Sequence, residues 1–235
     1  MFFLKFYFFV YISRMSSITS KTRQYLIFYT ICIFAAMPFY QGGHLLDSTT
    51  DNYNFFRNFI SDLGRTISLS GERNLTSFVI FSTGTLVLLG SLARFLFLGI
   101  SQFKTNFGLL TFIARITAIY SCIGVLGVVI TPVNVPALYA LHLFFAISMT
   151  CAIGITLGLY SYFFYRENYI DYSILILISA LSVVGYLAFI EYGPSARESL
   201  IGLTLHASFQ KYIILMMVIT FFYMTKGIDL LNDEV

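Results

Sequence analysis

The chain has 235 residues, of which 58% are hydrophobic and 11% charged, where soluble domains carry about 25% charge. With 26 Phe, 17 Tyr, no Trp and a mean hydropathy of +0.82, its apolar surface exceeds what one core can bury, which excludes a water-soluble fold. The net charge of +3 is too small and too scattered to address nucleic acid, and Cys32, Cys122 and Cys151 lie singly in apolar runs, which excludes a disulfide framework or a zinc ribbon.

Residues 1–24 form a basic N-terminal segment. Met1 to Ile12 are apolar but too short to span and carry Lys5. They lead into Ser13-Arg14-Met15-Ser16-Ser17 rather than a small-residue cleavage site, so they are not a signal peptide. Met15 opens a polar, basic stretch typical of a membrane-protein start and is an alternative initiation site, the other reading of the first residues being an interfacial amphiphile. Residues before Met15 are expected to be dispensable.

A spanning helix needs about 20 predominantly apolar residues. Six stretches qualify: residues 25–46, 77–100, 108–131, 136–160, 172–192 and 200–225. They make a transmembrane domain over 25–225, followed by a short tail over 226–235. The breaks carry helix-stopping residues: Pro132 and Pro136, Gly193-Pro194, and the polar run Tyr165-Arg166-Glu167-Asn168. The predicted fold is all-α, a polytopic membrane bundle of six transmembrane helices with a short amphipathic helix in the first external loop.

That helix is read from residues 47–76, the longest loop. Phe55, Phe56, Phe59, Ile60 and Leu63 fall within about 140° of a helical wheel, with Arg57, Asn58 and Ser61 opposite and Gly64 as a stop. It is expected to lie on the outer membrane face or to lid the bundle. Asp62 sits at the edge of its apolar face, where an acid needs a partner; Arg57 or Arg65 is near enough in sequence to supply one. Asn74-Leu75-Thr76 matches a glycosylation acceptor but abuts helix two.

Gly124 and Gly127 on helix three, and Gly154-Ile155-Thr156-Leu157-Gly158 on helix four, give the small-residue spacing that lets helices approach closely. Packing within the bundle is the expected use, and a homo-oligomer seam through Gly154 and Gly158 the other. Tyr160, Tyr162, Tyr165, Tyr169 and Tyr172 are expected to supply an aromatic belt in place of Trp.

The three histidines fall toward one side of the membrane. His44 is near the end of helix one, and His142 and His206 are each roughly 9 Å in from the ends of helices four and six. A zinc site on these three that activates water is conceivable, but no His-x-x-x-His pair and no intrahelical acid accompanies them, so core histidines are the plainer expectation. Lys211 lies roughly 17 Å into helix six, near the midplane, where a lysine must face protein rather than lipid. Thr204, Ser208 and Lys211 fall within about 60° on the wheel, with His206 and Gln210 on a separate face. Lys211 is expected to pair inside the bundle, with Asp62 if the loop dips inward. Asp62, Arg65, Gln210 and Lys211 are the candidate ligand-binding residues.

The topology count places Lys5, Arg14, Lys21, Arg23, Lys104, Arg166 and Lys226 on one side and Arg57, Arg65, Arg73 and Arg197 on the other. The excess of basic residues puts both termini in the cytoplasm and the 47–76 loop outside.

The stretch Asn58-Phe59-Ile60-Ser61-Asp62-Leu63-Gly64-Arg65 lies between the first and second spans. With the fourth-helix run Ala140-Leu141-His142-Leu143-Phe144-Phe145-Ala146, and Gly202-Leu203 and Gln210-Lys211 on the sixth, it resembles the membrane family called domain of unknown function 998. More distantly it is similar to six-helix proteins of the DRAM and Sfk type. The resemblance implies a six-helix membrane protein and adds no reaction. The expectation is a multi-pass protein, in the cell membrane, with lipids as partners. Its activity is expected to be non-enzymatic: transport or binding of a small ligand or lipid, or membrane organisation, without a cofactor. The alternative is a zinc-dependent hydrolase acting on a lipid of the outer leaflet.

Overall fold

The computed structural model describes residues 2–104 and 108–233, with side chains described over 15–104 and 108–232. The expectations for Met1 and for the side chains of residues 2–14, Lys5 and Arg14 of the basic count included, lie outside the described residues. So do those for Glu234 and Val235.

Among the described residues the chain is helical, with no strand and two isolated bridges, His44 with Asp47 and Ile67 with Arg73. Six long helices follow one another: α1 (Phe2–Ala36), α2 (Leu75–Gly99), α3 (Leu109–Ile130), α4 (Tyr139–Arg166), α5 (Ile170–Tyr192) and α6 (Leu200–Asp233). Each packs on its sequence neighbours, and α6 closes the ring against α1. Among the described residues five of them, α2 to α6, are long and apolar enough to cross a membrane. This is a helical membrane bundle.

Helix α1 differs from its expected span. Residues 25–46 were to be one helix, but α1 ends at Ala36, where Pro38 enters a short 3-10 turn over Met37–Phe39. Proline removes a backbone donor and clashes with the preceding turn, so the apolar sequence continues but the helix does not. The apolar part of α1 from Tyr25 therefore runs to Ala36 rather than to residue 46. At its other end α1 runs without interruption through the segment expected to be a basic appendage, and Met15 and Ile18 are buried. Helix α6 likewise runs through the expected tail, burying Ile228 and Leu231.

The other boundaries follow local chemistry. Thr131 turns its hydroxyl back on the Gly127 carbonyl at 2.6 Å as α3 stops before Pro132. Pro136 opens the 3-10 turn that feeds α4. The Ser199 hydroxyl accepts from the Gly202 amide at 2.9 Å and starts α6.

The main core lies at the end of the bundle opposite the 37–74 loop. All six helices contribute: Met15 and Leu26, Phe95, Ala114, Phe163, Ile176 and Met224. Tyr160, expected in an aromatic belt, is wholly buried here and donates its hydroxyl to the Leu96 carbonyl at 2.6 Å, whereas Tyr165 is exposed. A smaller cluster, Ile33, Ala36, Tyr40, Ile60 and Leu63, joins the loop to α1.

Glycines set the α3–α4 approach. A Cβ on Gly124 would stand 2.4 Å from Met149 Cβ, and one on Gly127 would stand 2.3 Å from the Phe145 ring. Of the Gly154 and Gly158 pair, Gly154 faces Val183 of α5, and Gly158 meets nothing within 4 Å.

Candidate functional site

Most of the polar residues singled out in the sequence gather where the 37–74 loop meets α6. After Pro38 the chain reverses through Gly42 and Gly43, at φ of +91° and +77°, a left-handed region that L side chains rarely occupy. A Cβ on Gly43 would also stand 2.3 Å from the Ser70 amide, so only glycine lets the two loop strands close. Tyr40, wholly buried, accepts from the Leu69 amide at 3.1 Å.

The expected amphipathic α-helix is reduced to a 3-10 turn over Ile60–Gly64. Side chains take the amides that a longer helix would need. Asn58 Oδ1 accepts from Asn54 N at 2.8 Å, Asn54 Oδ1 from Phe56 N at 3.1 Å, and Asp62 Oδ2 from Phe59 N at 2.8 Å. Ile60 and Leu63 are buried, whereas Phe55 and Phe56, set on the same apolar face by the wheel, are exposed.

Asn58 is the hub, although the helical wheel sets it with Arg57 and Ser61 on the polar face opposite the apolar one. It is wholly buried, donates Nδ2 to the Gly43 carbonyl at 2.7 Å, and offers its own carbonyl to Tyr53 Oη at 3.2 Å and Lys211 Nζ at 2.5 Å. Lys211 also donates to the Ala207 carbonyl at 3.1 Å, and its ammonium lies 5.7 and 5.2 Å from the Tyr53 and Phe55 ring centroids. The loop thus dips to the lysine, but the partner is a main-chain carbonyl, and Asp62 binds elsewhere. Its Oδ1 accepts from Arg65 Nε at 2.9 Å, in an ion pair with the two side chains only 5% and 16% exposed. Gln210 accepts from the Ile60 amide at 2.7 Å and donates to Ser61 Oγ at 3.4 Å, tying the 3-10 turn to α6. Burial, reinforced by the Asp62 carboxylate, pushes the Tyr53 phenol well above its ordinary range, so it stays a donor.

The histidines take separate places. His142 Nδ1 meets the Thr131 carbonyl at 2.6 Å. His206 Nε2 meets the Pro194 carbonyl at 3.0 Å, its ring against Phe189. His44 is buried in the loop, accepts from the Leu46 amide at 3.3 Å through Nδ1, and leaves Nε2 without a partner in the protein. Among the described residues no three His, Cys, Asp or Glu side chains come together as a metal group.

Burial, and then the Arg57 cation, push the His44 imidazole below its usual pKa; Asp47 and Asp62 oppose this more weakly. The folded protein therefore holds His44 neutral, while the unfolded chain protonates it near about pH 6.5. Stability from this group is fully present above that pH and is lost as pH falls below it. The detergent-solubilised protein is expected to melt lower at about pH 5 than at about pH 7.5, and His44→Gln to narrow that difference. An unchanged difference would clear His44 of the effect.

Two further features escaped the sequence reading. Opposite the loop, Arg23 pairs with Asp229 at 2.6 Å, Thr19 donates to the same carboxylate at 2.5 Å, and Thr225 accepts from Arg23 at 3.2 Å, clasping α1 to α6. Opposite charges at Arg23, just before the expected first span, and Asp229, just past the expected sixth, were the available signal. The second is a groove of about 570 Å³ between α3 and α4, lined by Ile116, Thr117, Tyr120, Phe144, Ile147, Ser148, Cys151, Ala152 and Ile155. Its hydroxyls point back at their own helices, Thr117 to the Ile113 carbonyl at 3.0 Å and Ser148 to Phe145 at 3.4 Å, so the walls present hydrocarbon. Comparison with known protein families, curated proteins and solved structures finds no match.

Proposed function

We propose that this chain is a six-span protein of the cell membrane that binds lipid hydrocarbon in the α3–α4 groove and organises the lipid around it, without catalysing a reaction. For α1 as the sixth span the support is its partners: it lies against α2 and α6, and Ile27, Ile31 and Phe34 are exposed on its surface, as a lipid-facing helix requires. An even number of spans and the basic-residue excess put both termini in the cytoplasm and the 37–74 loop outside, with Phe55 and Phe56 of its reduced helix at the interface.

The observation that carries the lipid reading is the groove itself, apolar-walled and centred on the middle of α3 and α4. The contrast with the loop strengthens it. Asp62, Arg65, Gln210 and Lys211 are engaged with one another's elements, which supports reading them as a lock between the loop and α6. The zinc hydrolase reading draws no support from His44, His142 and His206, which among the described residues do not come together as a metal group.

The absence of Trp makes the test clean, because one introduced indole is the only one. Phe144→Trp places it in the groove, and Leu181→Trp on the exposed surface of α5 serves as the control. In detergent with about one bromine-labelled phospholipid per protein, Phe144→Trp is expected to be quenched and Leu181→Trp to stay bright. Equal quenching of the two would overturn the reading.

A further inference from the structure

Beyond the groove, the same face of α4 reaches a cation at Arg166. On α4 the groove residues Phe144, Ser148, Cys151 and Ile155 recur at helical spacing, and the same ridge continues to Tyr162 and Arg166. All six lie within about 60° of one another at 100° per residue. Arg166 is exposed, donates to Tyr162 Oη at 2.7 Å, and holds its guanidinium 5.7 Å from the Tyr162 ring centroid. The cation is therefore folded back along the face that carries the groove. Its depth fits a headgroup. Ala152 is near the middle of α4, and Arg166 is about 21 Å further along at 1.5 Å per residue. Half the full thickness of a bilayer with its headgroups is about 20–22 Å.

The charge around it has the matching sign. Arg94, Lys104 and Arg115 stand at the same end of α2 and α3 and in their connection, and Glu167 and Asp171 are the carboxylates that follow Arg166 into the next turn and α5. Arg115 is turned to the end of α2, its guanidinium 5.4 Å from the Phe97 ring centroid and donating to Ser101 Oγ at 2.9 Å, whereas Arg166 lies on the α4 face that carries the groove. A guanidinium presents planar paired donors that suit a phosphate.

We infer that the α3–α4 groove is a site for one anionic phospholipid of the leaflet on the Arg166 side, its acyl chain along Ile116, Tyr120, Phe144 and Ile155 and its phosphate at Arg166. This rests on the lipid reading above and adds the headgroup class, the leaflet and the residue that selects them.

Quenching of Phe144→Trp by bromine-labelled phosphatidylglycerol is compared with quenching by bromine-labelled phosphatidylcholine, in the full chain in detergent. Half-maximal quenching is expected at about fivefold lower phosphatidylglycerol, the preference that one basic side chain at an anionic surface supplies. Adding Arg166→Gln should bring the two lipids together, and Arg166→Lys should keep most of the preference. Equal quenching by both lipids in Phe144→Trp, or a preference that survives Arg166→Gln, overturns the headgroup assignment and leaves the groove reading standing. No quenching by either lipid overturns both.

Discussion

Asp62→Ala is expected to destabilise the protein by about 3 kcal/mol, read as a fall in melting temperature and faster proteolysis within residues 40–74. The substitution removes an acceptor from three donors at once: Arg65 Nε, the Phe59 amide and Asn58 Nδ2. Arg65 would be left as a nearly buried cation without its carboxylate, and the cost of that stranded charge exceeds the worth of the pair itself. Replacing both partners with apolar residues, Asp62→Leu with Arg65→Met, should therefore cost less than the two single changes added together. Melting of Asp62→Ala indistinguishable from the parent would mean that the loop is held by other contacts.

Gly124→Leu should be comparably damaging, by about 3 kcal/mol, because the new side chain starts where Met149 Cβ already is and the Met149 backbone is 3.2 Å away. The helices can accept it only by separating, which would pull apart the Thr156–Thr117 hydroxyl bond at 2.8 Å and the groove between them. Gly158→Leu on the same pair of helices meets open space and should lie within about 0.5 kcal/mol of the parent. Equal melting of the two leucine variants would show that the α3–α4 contact is looser than its geometry.

The positions of α2 to α6 were legible because lipid gives an apolar run only one regular use, so the ends expected near residues 77, 108, 172 and 200 fall within two residues of the helix starts. Where α1 stops was not legible from hydropathy, since Phe39 and Tyr40 are as apolar as what precedes them. Pro38 decided it by removing a donor. The extension of α6 to Asp233 was hidden because beyond the membrane a helix is held by an intermittent stripe, Ile228 and Leu231, rather than a continuous run.

At the loop, Asp62, Arg65, Gln210 and Lys211 stood out since a charge or amide in apolar sequence must be satisfied somewhere. What satisfies them was invisible. The acceptor for Lys211 is a main-chain carbonyl, which every residue has, and its place at Asn58 depends on Gly42, Gly43 and a turn whose amides are taken by side chains. The groove was beyond sequence as well, because it is made by what α3 and α4 leave unfilled.

The contact of Gln210 with Ile60 joins residues 150 apart in the chain. During synthesis the loop waits for its partner helix, on the order of ten seconds at ordinary elongation rates. For that interval the Ile60 amide lacks Gln210 and the Asn58 carbonyl lacks Lys211, while the glycine turn can already close within the loop itself. A residue of α6 thus completes a loop made far earlier in the chain, so a stalled nascent chain would present an unsecured segment for surveillance proteases to recognise.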